Sequence, residues 1–132
     1  AWQFLLPFKE AGWEARLEPF AEHFLHLDVI FSMVAPDVAL VCTEVFDRSF
    51  LDWLAAHRIR ILPVSYQEAM TSMACNVLSL GRGRIVSPKH CSRVNAMLAG
   101  EGFTVLAPEL DLFSKGGGSV HCMTMPLRRV EE

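Results

Sequence analysis

Three residues far apart in this chain carry side chains that together could attack an electrophilic carbon: Cys122, His26 and Asp28. A thiolate supplies the nucleophile, an imidazole moves protons near neutral pH, and a carboxylate orients a cationic substrate. Cys122 follows three consecutive glycines in Lys115-Gly-Gly-Gly-Ser-Val-His-Cys-Met-Thr-Met-Pro126. Such a tripeptide loses more backbone entropy on folding than any other, so it is expected where backbone approaches a ligand or takes positive φ. Gly117 and Gly118 are the expected substrate-binding positions of this loop. Taken alone, a cysteine on an apolar segment is more often an inert core thiol; the glycines and His26 together reverse that reading.

His26 and Asp28 open the segment His26-Leu-Asp-Val-Ile-Phe-Ser-Met-Val34, whose alternation predicts a strand entering the core. Side chains two apart on a strand share a face, which places both residues on one side. With His121 to Thr124 predicted as another short strand, the same rule turns His121 away from Cys122. His26 is then the expected imidazole partner.

Three blocks in order, His26-Leu27-Asp28 with Phe31, Asn76-Val-Leu-Ser-Leu-Gly81, and Gly116-Gly-Gly-Ser-Val-His-Cys-Met-Thr-Met-Pro-Leu127, resemble the guanidino-group-modifying enzymes. That superfamily includes arginine deiminases, dimethylarginine dimethylaminohydrolases and amidinotransferases. The resemblance implies Cys122 as nucleophile on a guanidinium carbon, with a covalent amidino-thioether intermediate resolved by water or an acceptor amine. It implies His26 as proton donor and then acceptor, and Asp28 as a charge-assisted, bidentate partner of the guanidinium. No cofactor and no metal are implied. Asp28 favours the deiminase and amidinotransferase branches.

The implied fold is α/β, part of a pentein-like β/α propeller in which ββαβ modules, with mixed sheets and short helices outside, surround a pseudo-fivefold axis. A chain of 132 residues has room for roughly half of it, as a single domain over residues 1–132 matching the C-terminal half. In such enzymes a second acid precedes the His-x-Asp block, yet only 25 residues precede His26. Glu10, Glu14, Glu18 and Glu22 are spaced by four and read as one solvated helical face instead. Two readings follow. One is an amidinohydrolase or amidinotransferase on arginine-like guanidines. The other is a catalytically incomplete fragment or relic acting as an oligomeric binding module, since loss of a charged contact to a buried guanidinium costs about 2–5 kcal/mol.

Composition narrows the partners. The chain is 52% hydrophobic with mean hydropathy +0.27, rich for 14.8 kDa, so some apolar surface is expected to meet another chain. A homo-oligomer or a complementing N-terminal partner chain is expected. Net charge −3 and pI near 5.9 give no reason to expect nucleic acid or an anionic membrane. The sequence shows neither a bilayer-length apolar run nor a signal-peptide pattern, and a cytoplasmic location is the default expectation. Its first residue, Ala1, suggests that the chain does not begin at a start codon.

The four cysteines form no C-x-x-C pair, which argues against a zinc knuckle or a disulfide framework. His23, His26, Asp28 and Cys122 have zinc-ligand types, but two histidines three apart at a strand start converge poorly. The glycine loop lacks the Gly-Lys-[Ser/Thr] ending of a phosphate-binding P-loop. His90 and Cys91 read as structural, and His57 as a helix end.

The positioning elements alternate. Val29 to Val34 and Val38 to Val45 are predicted strands joined at Pro36-Asp37; Asp47 caps a helix reaching His57. Ile59 to Val64 is a predicted strand, followed by a helix capped by the Ser65 and Glu68 pair. Asn76 to Leu80 and Arg84 to Ser87 form a hairpin around Gly81-Arg-Gly83, then come a helix over Ser92 to Ala99 and a strand over Phe103 to Ala107. Gly12 to Pro19 fits either a strand or a short helix.

Overall fold

The structure, a computed structural model, describes residues 2–127. Helix α1 (Trp2–Glu10) ends just before Gly12, whose φ of 84° is a left-handed conformation that glycine adopts without steric cost. Residues 13–21 form no regular element, so Gly12 to Pro19 is neither strand nor helix. This corrects the reading of Glu10, Glu14, Glu18 and Glu22 as one helical face. Glu14 instead accepts from Trp53 Nε1 at 2.7 Å and meets His57 Nε2 at 2.8 Å. Glu18 pairs with Arg16 at 2.8 Å with its side chain largely covered.

Strands β1 (Phe31–Ala35) and β2 (Val38–Val41) form an antiparallel hairpin. Helix α2 (Arg48–Ala56) then carries the chain to β3 (Arg60–Pro63), which pairs parallel to β2. β2 lies in the middle of its sheet and is buried at all four positions, which explains its unbroken apolar sequence Val-Ala-Leu-Val. Asp47 caps α2 by accepting from the Phe50 backbone N–H at 3.0 Å. Phe50 and Leu54, one turn apart, are the buried residues of α2; burying each contributes roughly 1.5–3 kcal/mol.

After α3 (Tyr66–Ser72), whose start carries the expected Ser65–Glu68 capping box, the same arrangement recurs. Strands β4 (Leu78–Gly81) and β5 (Arg84–Val86) form an antiparallel hairpin, helix α4 (Ser92–Gly100) crosses over, and β6 (Thr104–Leu106) pairs parallel to β5. Gly81 and Gly83 take positive φ at the hairpin turn, as the Gly-Arg-Gly sequence requires. The chain is thus two ββαβ modules. They meet where Ser79 Oγ of β4 donates to the Val34 carbonyl of β1 at 3.0 Å. Buried residues of both modules, from Val34, Leu40 and Leu54 to Ile85, Val94 and Leu98, make one core.

Beyond β6 the described residues, up to 127, join neither sheet. A short helix α5 (Asp111–Ser114) leads into the glycines, and the predicted strand at His121 to Thr124 is absent. Its backbone turns back on itself: Met123 N–H donates to Ser119 O at 3.0 Å and Thr124 N–H to His121 O at 3.1 Å. Those bonds occupy groups that a strand would offer to a neighbour. The predicted strand at His26 to Val34 also begins late. Leu27–Val29 is a single turn of 3-10 helix, and extended structure starts only at Phe31.

Candidate active site

Leu25 takes φ 60° and ψ −58°, and the His26 N–H reaches back to Phe24 O at 2.6 Å. This is a γ-turn at a residue other than glycine, a strained conformation that persists only where surrounding structure holds it. Buried Phe24 before it and buried Val29 and Ile30 after it supply that hold. The turn presents His26 as an exposed residue and sends Asp28 into the 3-10 turn, toward the C-terminal loop.

Asp28 Oδ2 is the junction of the site. Cys122 Sγ lies 3.3 Å from it and His121 Nδ1 lies 2.8 Å from it. Asn76, fully buried, completes the group: its Nδ2 donates to Cys122 Sγ at 3.0 Å and to Asp28 O at 3.3 Å, while its Oδ1 accepts from Cys122 N–H at 3.1 Å. Burial works against the Asp28 charge, but the bonds from His121 and then Cys122, with the charge of His121, outweigh it. The carboxyl is held below the ordinary aspartate value. Its other oxygen, Oδ1, is buried and has no hydrogen-bond partner among the described residues.

His26 and Cys122 line one cavity of about 210 Å³, together with Gly117, His23, Met70 and Met73. Asp28 and His121 line a second cavity of about 300 Å³, with Phe31, Met33 and Ser79. Of the expected residues, Cys122 and Asp28 are therefore in contact, while His26 and Gly117 share a cavity with the thiol. Gly117 has φ 91°, and a Cβ on Gly118 would stand 3.2 Å from the Cβ of Cys122. Both glycines thus meet a local steric requirement. Among the described residues no group of three or more His, Cys, Asp or Glu is arranged to hold a metal ion.

The strand premise for setting His121 aside as the partner of Cys122 does not hold, because residues 121–123 form a turn and His121 meets the Asp28 carboxylate. That premise put the two side chains on opposite faces, and in a turn adjacent side chains can reach the same carboxylate. Asn76 was legible only as part of a sequence block; nothing local marks its side chain as a bridge to residues 46 and 48 positions away. The remaining thiols differ from Cys122, which is exposed, whereas Cys42, Cys75 and Cys91 are buried. Burial first, then nearby charge, pushes Cys91 up to about 11 and Cys75 higher still.

A profile of the family described as N,N dimethylarginine dimethylhydrolase, eukaryotic, matches residues 9–129. The chain belongs to this family. Among the relatives of this dimethylarginine dimethylhydrolase-family chain is the uncharacterized protein YkgA of Bacillus subtilis (strain 168), 36% identical over 110 residues that make up 83% of this chain and 38% of that protein. The L-arginine:L-lysine amidinotransferase of Pseudomonas savastanoi pv. phaseolicola is 30% identical over 81% of this chain and 31% of its own length.

Solved structures place the family chain in the guanidino-modifying superfamily and its modules in the pentein fold. The N-terminal domain of ArgZ, a cyanobacterial arginine dihydrolase, superposes with TM-score 0.73 at 25% identity, over 92% of this chain and 46% of that one. SxtG, an amidinotransferase from Microseira wollei, superposes with TM-score 0.82 over 98% of this chain and 41% of that one; at 23% identity it speaks for the fold. The chain spans less than half the length of these relatives.

Proposed function

We propose that this chain carries the nucleophilic part of a site for cysteine-dependent chemistry on a guanidinium compound of the arginine type. The observation that supports it best is the Cys122 Sγ contact with the Asp28 carboxylate, at the edge of a cavity that His26 shares. A guanidinium beside the thiol would pair with the Asp28 carboxylate, whose Oδ2 lies 3.3 Å from Cys122 Sγ, and would favour the thiolate. Cys122 Sγ then bonds to the guanidinium carbon, and the carbon–nitrogen bond to the leaving amine breaks as His26 delivers a proton to that nitrogen. Water or an acceptor amine next attacks the amidino-thioether carbon and gives its proton to His26. The sulfur–carbon bond breaks, and the thiolate returns.

Whether hydrolysis or transfer follows depends on what reaches the intermediate; the family description favours water, and the Pseudomonas relative's name favours an amine. The second reading, a catalytically incomplete fragment acting as an oligomeric binding module, is favoured by the chain's short span of its relatives. It is also favoured by exposed Phe4, Trp13, Leu112, Phe113 and Met125, apolar surface suited to another copy or to a complementing partner chain.

The deciding experiment is intact-protein mass spectrometry after exposure to a haloacetamidine, on wild type, Cys122→Ser and His26→Ala, beside citrulline, urea and amidino-transfer assays on arginine. Selective labelling at Cys122 that needs His26, with product formed, is the expected result. Labelling no faster than at the buried thiols, with no product, would replace the enzyme reading by the binding one.

A further inference from the structure

We propose that Asn76 is a positioning residue that orients the Cys122 sulfur and stabilises its thiolate, an inference that rests on Cys122 being the reacting group. Asn76 is fully buried just before β4, and its side chain has one orientation open to it. The Cys122 N–H can only donate, so the amide atom 3.1 Å from it is the oxygen. Backbone Asp28 O can only accept, so the atom 3.3 Å from it is the nitrogen. With both ends fixed, an N–H of Nδ2 is directed at Cys122 Sγ, 3.0 Å away.

That N–H has little to gain from a thiol, a weak acceptor, and much more from a thiolate, because bonds to charged groups are roughly twice as strong as neutral ones. The Cys122 S–H is directed at the Asp28 carboxylate, with Sγ 3.3 Å from Oδ2. Through its N–H, Asn76 thus offsets, at the sulfur, the repulsion that the Asp28 charge exerts on a thiolate. It also holds the backbone of a loop that no sheet holds. Asn76 itself lines neither cavity; it bonds the Cys122 sulfur and N–H and the Asp28 carbonyl, which makes its role positional.

Two measurements test this without any guanidine. Iodoacetamide is neutral and needs no substrate recognition, so its rate with Cys122 across pH reports the thiolate alone. In Asn76→Leu, of similar size but with no donor, the rate near neutral pH should fall about ten- to a hundredfold, and the half-maximal rate should move to higher pH. An unchanged profile, or faster alkylation with an unmoved midpoint, would overturn the proposal, since Asn76 would then be only packing. Should the variant not fold, the wild-type chain decides. It contains only two asparagines, Asn76 and Asn95. With 15N-asparagine labelling, the Asn76 side-chain amide resonances should titrate in step with the alkylation rate while those of Asn95 stay still; a silent Asn76 would overturn the idea. A wild type with no guanidine turnover but with this Asn76 effect would sink the proposed function and leave the positioning role standing.

Discussion

His121 Nδ1 lies 2.8 Å from Asp28 Oδ2, although 93 residues separate the two in the chain. Cys122 Sγ meets the same oxygen, so one carboxylate links the imidazole and the thiol. Removing the imidazole in His121→Ala should cost about 1 kcal/mol, at the lower end for a charged bond because both side chains are partly solvated. The sign with pH is fixed by the lowered Asp28 value: its contribution is full above the ordinary carboxylate range and disappears as pH falls through the lowered folded value. Thermal melts of wild type and variant should therefore differ near neutral pH and converge in acid. A gap independent of pH would mean that the pair makes no charge-linked contribution.

Glu68 is a second, purely structural titration. Arg93 beside it, against a smaller burial effect and with help from Ser65, brings its carboxyl down to about 2. Stability from this pair is present above the usual glutamate range and is lost as pH falls from there toward 2. Arg93 is half exposed, so the contribution should be about 1 kcal/mol or less. Glu68→Gln should flatten the acid limb of the melting curve in that window and leave Cys122 alkylation unchanged.

Thiol counting gives a direct check on the site's exposure. Native protein treated with Ellman's reagent near neutral pH should show one fast thiol, Cys122, and three slow ones, with all four reacting quickly in denaturant. Cys122→Ser should abolish the fast phase. A fast phase that survives this change would mean that Cys42, Cys75 or Cys91 opens readily.

The two glycines should fail differently. Gly117→Ala forces a side chain into φ 91° and should cost roughly 1–2 kcal/mol of stability. Gly118→Ala places a methyl 3.2 Å from the Cys122 Cβ, so the larger effect should be on alkylation rate and the smaller on melting temperature. Equal effects of both changes on both readouts would contradict the distinct geometries.

Legibility in the sequence followed the range of the interaction. Asp47, Ser65 with Glu68, and Gly81 with Gly83 act on backbone within four residues, and each marked its element correctly. Cys122 and Asp28 were found from residue type and block order, and they do meet. The errors came from assigning a period to segments that lack one. His26–Asp28 and His121–Cys122 were assigned strand faces, whereas the first lies in a γ-turn and 3-10 turn and the second in a hydrogen-bonded turn. The glutamate spacing suggested a helix that Gly12 had already ended, a signal present in the sequence and outweighed by periodicity. For Asn76 no local signal existed, because its partners are brought to it only by tertiary folding.

Among the described residues, the segment beyond β6 carries Cys122 yet adds no strand to either sheet. Its detachment would leave both hairpins, both crossover helices and the shared core in place, so the local opening free energy of this arm can lie well below that of global unfolding. Chemistry at the thiol and far-UV dichroism would then have separate melting profiles. With the Cys122 segment undocked, the two modules would still give a near-native spectrum.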